Sequence, residues 1–199
     1  MSAGLPIAHS PLETFAEPFA EVSGPRVRLA ELPFLAQVDV RADPSDAALM
    51  ARLGGVLGLD LPTVPNTAVA TPDGSRHGLW LGPNEWLIVG PAGTEGKLEA
   101  GLRTALGDGF GAVVDASANR TTLVLAGEAA RDILETGCSL DLHPREFGPG
   151  RCAQTLVARA GVILHQLSPE PEYRLLVRPS FAAYLATWLL DAIDGDSSA

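Results

Sequence analysis

Lysine is almost missing from this chain of 199 residues: Lys97 stands alone, and arginine supplies the rest of the 14 basic side chains against 24 acidic ones. The net charge of −10 argues against nucleic acid and anionic membranes as partners, because binding phosphates takes clustered Lys and Arg. Cysteine is scarce as well. Cys138 and Cys152 stand 14 positions apart, a spacing that fits no usual zinc site, and in a reducing compartment they are expected to be free thiols. The histidines His9, His77, His143 and His165 are dispersed and form no His-x-x-x-His pair, so no dedicated metal site is expected. No run approaches the roughly 18 consecutive apolar residues of a membrane span. Residues 1–18 lack the basic start and apolar stretch of a signal peptide, and the expected location is the cytoplasm.

What is present suits an ordinary folded domain: 46% hydrophobic and 19% charged residues. A chain of this size buries roughly 70% of its unfolded surface and folds without a metal or disulfide. Residues 1–33 form an N-terminal arm, rich in Pro, Ala and Glu and read as extended over 1–25. Its apolar residues, Leu5, Ile7, Leu12, Phe15, Phe19 and Val22, are many for a solvated tail and leave two alternatives, a disordered arm or one that docks on this domain or on a partner.

Alternation around Val38 and Val40 predicts a strand. Asp43-Pro44 reads as a helix start, with Leu49, Leu53, Val56 and Leu57 on one helical face. Asp73-Gly74 marks a turn between strands near 67–71 and 76–81. A strand at 86–89 and a helix started by Thr94 complete a first half, residues 34–110. The second half, 111–199, predicts strands at 113–116 and 121–125, then a short helix stopped by Gly137. Strands follow at 152–159, 162–167 and 173–177, and a long amphipathic helix begins at Ser180.

The halves look like copies. Leu59-Asp60-Leu61 matches Leu140-Asp141-Leu142 at an offset of 81, and Val38-Asp39-Val40 matches Leu123-Val124-Leu125 at 85. Consecutive strands joined by short turns must be largely antiparallel, with helices covering one face of each sheet. The expected class is therefore α+β: two duplicated ferredoxin-like halves in one compact domain.

The residues spell no catalytic centre. The glycines of Gly107-Asp-Gly109-Phe-Gly111 follow a helix and precede a strand, the reverse of a dinucleotide fingerprint, and read as a helix-ending turn. No serine sits in a Gly-x-Ser-x-Gly elbow. Asp115, Ser117, Asn119 and Arg120 form the densest polar cluster. They fit either a turn held by an Asp–Arg pair or a site where Arg meets a ligand carboxylate, and the turn is favoured. Trp80 and Trp86, in a strand–turn–strand unit, suit either the core or a subunit interface. The expectation is no catalytic, cofactor-binding or metal-ligating residue. Trp80, Trp86, Asp115, Asn119 and Arg120 remain as interface or turn-structuring candidates.

Several segments in fixed order resemble the gamma subunit family of heterotetrameric sarcosine oxidase. They are Pro65-Asn66-Thr67, Trp80-Leu-Gly-Pro-Asn-Glu-Trp86, Ser117-Ala-Asn-Arg-Thr121, Gly137-Cys-Ser-Leu-Asp-Leu-His-Pro144, Gly150-Arg-Cys-Ala-Gln154 and Tyr173-Arg-Leu-Leu-Val177. The resemblance runs over about residues 30 to 193 and leaves the arm outside. It implies a small subunit, itself non-catalytic, beside alpha, beta and delta partners, with alpha in direct contact. The implied assembly oxidises sarcosine to glycine, yielding formaldehyde or methylene-tetrahydrofolate and hydrogen peroxide. FAD, FMN, NAD, zinc and tetrahydrofolate would belong to the partner chains. The family's fold is similar to the folate-binding domain of aminomethyltransferase, which leaves a folate-binding module with its own one-carbon role as the alternative.

Overall fold

The computed structural model describes residues 8–197; Leu5 and Ile7 of the expected arm lie outside them. The described part of the arm is helical rather than extended. A 3₁₀ turn at Glu13–Phe15 runs into α1, Ala16–Val22. Pro18 is tolerated because it lies in the first turn of α1, where its missing N–H has no intrahelical partner to lose. Leu12 and Phe19 are buried in the core beneath, each contributing about 1.5–3 kcal/mol by leaving water. The chain then forms β1, Arg28–Leu32, which the sequence patterning did not reveal. The Ser23 hydroxyl fastens the connection, donating to the Phe19 carbonyl at 2.7 Å and accepting from the Leu29 N–H at 3.1 Å.

The first sheet holds β2 (Ala36–Ala42), β3 (Ala68–Ala70), β4 (His77–Gly82), β5 (Glu85–Gly90) and β6 (Gly111–Asp115) in the order β3-β4-β5-β2-β6. Two helices, α2 (Ala47–Leu57) and α3 (Glu95–Leu106), cover it. Asp46, not Asp43, caps α2: its Oδ1 accepts from the Leu49 N–H at 2.9 Å, while Asp43 holds the preceding turn through Ser45. Gly58 closes the helix in the left-handed conformation, φ 72°, which glycine adopts without penalty. Thr94 makes no side-chain cap for α3; its hydroxyl donates to the Pro91 carbonyl instead.

The second sheet is β7 (Thr121–Ala126), β8 (Cys152–Val157), β9 (Ala160–Gln166), β10 (Glu172–Val177) and β1, in the order β1-β7-β10-β9-β8. Its helices are α4 (Ala130–Glu135) and α5 (Pro179–Ser197). α5 opens on Pro179, so Ser180 lies inside the first turn instead of capping it.

Every strand pairing is antiparallel, and the sheets have one topology. Written from the far edge, β8-β9-β10-β7-β1 superimposes in order on β3-β4-β5-β2-β6, with α4 and α5 in the places of α2 and α3. The first set is a ferredoxin-like β-α-β-β-α-β arrangement with one extra edge strand; the second has the same spatial arrangement, with β1, which precedes it in the chain, in the place of the last strand. The strands are shared differently from a cut between residues 110 and 111. β6, beyond that cut, belongs to the first sheet, and β1, from the arm, belongs to the second. Each half thus leads into the other through its edge strand, which makes the two one folded body.

Alternation along the strands builds three apolar layers. Trp86 and Ile88 of β5 face α2 and α3; Tyr173, Leu175 and Val177 of β10 face α4, α5 and α1. Leu79, Leu87 and Val89 of the first sheet meet Cys152, Ile163 and Leu176 of the second. The layers therefore run helix, sheet, sheet, helix. A seam of hydrogen bonds joins the sheets at one edge: the Cys152 N–H donates to the Asn66 carbonyl at 3.0 Å, and the Ala68 N–H to the Gly150 carbonyl at 2.7 Å.

Candidate interaction site

Trp80 and Trp86 are directly opposed across the β4–β5 pair. Trp86 is fully buried on the helix side of the first sheet, and its indole Nε1 donates to the Pro62 carbonyl at 2.7 Å. This places it in the core, the first of its two expected roles. Trp80 is half-buried and packs on the edge of the same core.

Asp115, Ser117, Asn119 and Arg120 lie together in the turn from β6 to β7, but Asp115 and Arg120 form no ion pair. Asp115 Oδ1 instead accepts the N–H and hydroxyl of Ser117, at 2.9 and 2.6 Å. Ser117 Oγ in turn accepts the Gln37 N–H at 3.0 Å, and the buried Gln37 amide donates to the Arg120 carbonyl. Asn119 ends a 3₁₀ turn with its side chain exposed. The turn is therefore tied to β2 by serine, glutamine and backbone groups, which leaves the Arg120 guanidinium uncommitted.

That guanidinium points into a charged cluster the sequence did not disclose. Arg41 of β2 faces Glu85 of β5 across the ladder and pairs with it at 2.6 Å. Asp39 lies diagonally beyond, and burial first, then the neighbouring Glu85, raises its pKa. The Arg120 pKa is lowered, chiefly by desolvation and then by the like charge of Arg178. Neither Arg120 nor Arg178 has a carboxylate within ion-pair distance among the described residues.

Two cavities adjoin this cluster through Arg120, and a third continues from them. A cleft of about 530 Å³ is lined by Arg120, Arg178 and Gln154 beside Leu156, Ile163 and Leu176. A hollow of about 400 Å³ lies between Arg120, Ser117, Pro179 and Phe34. A groove of about 500 Å³ continues along the arm over Phe34, Ala16, Phe19 and Ala30. Phe34 sits where the hollow and the arm groove meet, 48% exposed, in the turn between β1 and β2 with φ 61°. That backbone conformation is usual for Gly or Asn and strained for an aromatic residue.

The other polar groups are internal. His77 and His165 stack edge to face between the sheets with ring centres 5.2 Å apart. Burial above all, then nearby Arg174 for His77 and His77 itself for His165, lowers their pKa values to about 4 and about 3. The free Cys152 thiol reaches the Thr67 and Trp80 carbonyls, and burial pushes it up to about 11. Among the described residues, no group of three or more His, Cys, Asp or Glu is placed to hold a metal ion. No helix among them is long and apolar enough to cross a membrane.

The fold is a duplicated ferredoxin-like one, and its outward features are the cleft, hollow and groove around Arg120 and Phe34. The sarcosine oxidase gamma subunit family matches residues 41–195, and the chain belongs to that family. The sarcosine oxidase subunit gamma of Corynebacterium sp. strain P-1 is 39% identical over 188 residues, covering 94% of this chain and 90% of that one; the Arthrobacter sp. protein gives the same figures. Among solved structures, a chain of the heterotetrameric sarcosine oxidase from Corynebacterium sp. U-96, in complex with pyrrole 2-carboxylate, is 35% identical. Its TM-score is 0.87, over 96% of this chain and 97% of that one. The glycine cleavage system aminomethyltransferase T from Bartonella henselae shares the fold alone: TM-score 0.63 at 14% identity, over 88% of this chain and 48% of that one.

Proposed function

We propose that the chain is the gamma subunit of a heterotetrameric sarcosine oxidase, an oxidoreductase that demethylates sarcosine to glycine with formaldehyde or methylene-tetrahydrofolate and hydrogen peroxide as the other products. The observation that carries this reading is the 39% identity to named gamma subunits over nearly the whole of both chains. In this reading the chain is a non-catalytic component. FAD, FMN, NAD and zinc sit in the alpha, beta and delta partners, alpha is in direct contact, and the complex is cytoplasmic. The internal placement of His77, His165 and Cys152 supports a structural role, since each is buried away from solvent.

The residues do not fit a folate site of the chain's own. Such a site needs an acid for the pterin ring and an arginine for the glutamate tail in one cavity, and neither cavity lined by Arg120 carries a carboxylate. Fold similarity to aminomethyltransferase does not supply one.

The test is reconstitution. The three partner chains are expressed with and without this chain, and sarcosine-dependent peroxide production is measured. The expected result is a stable active complex only when the chain is present, with no activity in the chain alone. Equal yield and activity without it would count against the reading.

A further inference from the structure

The subunit reading leaves open which face meets a partner, and the inference here rests on that reading. We propose that the continuous track formed by the arm groove, the hollow at Phe34 and the cleft beside Arg120 and Arg178 receives an extended segment of a partner subunit. That segment carries an Asp or Glu side chain at one end and apolar side chains at the other.

Continuity comes first. The arm groove and the hollow share Ala8, Ser10 and Phe34, and the hollow and the cleft share Arg120. The three are therefore one surface feature that crosses from α1 over the β1–β2 turn to the second sheet.

Charge gives the direction of the occupant. In a chain of net charge −10, Arg120 and Arg178 lie close enough to repel each other, and among the described residues neither is ion-paired. α5 begins at Pro179, so the positive end of a 19-residue helix adds to the field beside Arg178. Asp39 and Glu85 offset part of this charge from behind Arg120, but Glu85 is already engaged by Arg41. A carboxylate from outside, held between the two guanidinium groups, satisfies both. At the other end the carboxylates are occupied: Glu31 accepts the hydroxyls of Ser10 and Thr121, and Glu13 is bound by His9 at 2.8 Å. What the arm groove offers is the apolar surface of Ala16, Ala20, Ala30 and Phe34.

Phe34 supplies an independent indication. At positive φ an Asn or Gly would be less strained than this aromatic residue, and about half of the Phe34 side chain stays in water. Leu156, 55% exposed at the rim of the cleft, is the apolar counterpart at the basic end. Exposed aromatics and arginines around a hollow are the usual anchors of protein interfaces.

The experiment titrates fluorescently labelled full-length chain with the purified partner assembly prepared without it, and reads anisotropy. Arg178→Glu and Phe34→Asn are compared with the wild type and with Lys97→Glu, which makes the same charge change on the exposed face of α3. Asn accepts the left-handed conformation and Arg178 makes no side-chain bond, so both variants keep the fold, checked by their melting temperatures. The expected result is a loss of affinity of about tenfold or more for each, with Lys97→Glu unchanged. Wild-type affinity in both variants overturns the inference while leaving the subunit reading in place. Absence of binding by the wild type removes the subunit reading and the inference with it. A free chain that is dimeric and becomes monomeric with Phe34→Asn, its partner affinity unaltered, assigns the track to a second copy and overturns the partner occupant. Competition by glutarate at millimolar concentration against the wild type, but not against Arg178→Glu, supports the carboxylate contact.

Discussion

The N–H of Cys152 donates to the carbonyl oxygen of Asn66 at 3.0 Å, and with the Ala68–Gly150 bond it ties the edge of the second sheet to the loop leading into β3. Asn66 holds a φ of 59° to present that carbonyl. Asn66→Ala forces a Cβ-bearing residue without a local polar compensation into the left-handed region and is expected to cost roughly 1–2 kcal/mol, whereas Asn66→Gly is close to neutral. Urea unfolding midpoints decide between these outcomes; equal loss in both variants would mean that the Asn side chain, not its backbone, matters.

Trp86 is expected to be the most sensitive of the two tryptophans. Trp86→Phe keeps most of the apolar bulk but leaves the Pro62 carbonyl without its donor, a loss of about 1–3 kcal/mol. Truncation to Ala is expected to cost about 3–5 kcal/mol. The same truncation at half-buried Trp80 costs less, and denaturant titration of the three variants gives the order.

Gly137 is defined by what it touches. A Cβ built there would lie 2.4 Å from Cζ2 of Trp188 on α5, too close for any side chain. Gly137→Ala is expected to destabilise by about 1–3 kcal/mol through overpacking. Adding Trp188→Leu should recover part of that loss, so that the double variant is more stable than the two single losses predict.

Stability is expected to fall with acid between pH 6.5 and about 4. His77 and His165 stay neutral in the folded chain to about pH 4 and about 3, while in the unfolded chain they take up protons near 6.5. The unfolded state thus binds more protons throughout that window; the fold is fully favoured above it and loses stability as pH drops through it. Nitrogen chemical shifts of the two imidazoles should report neutral rings at pH 5. Titration of both near 6.5 would contradict the buried pair.

Much of this architecture is legible in the sequence because local patterns carry it. Val38 and Val40 alternate as a strand with one face in the core does, and the match of Leu59-Asp60-Leu61 to Leu140-Asp141-Leu142 reflects the equivalent loops that follow α2 and α4. β1 escapes such reading because it is a short edge strand whose partner, β7, lies more than 80 residues away. α1 is hidden by Pro18, which signals a break unless its place in the first turn is known. The partners of Arg120 could not be read either, since Asp39, Glu85 and Arg178 reach it from three separate strands or strand ends. Asp43 and Asp46 are both plausible helix caps by residue type, and only the geometry at Leu49 separates them.

On the reading proposed above, this chain works as one subunit of a larger oxidase. The most direct measurement is native mass spectrometry of the material captured from the host through a tag on this chain. The expected result is one assembly holding a single copy of the chain with three other chain types, yellow from bound flavin and producing peroxide with sarcosine. A captured chain that is colourless and runs as a monomer or homo-oligomer, from cells shown to contain the partner chains, would contradict it.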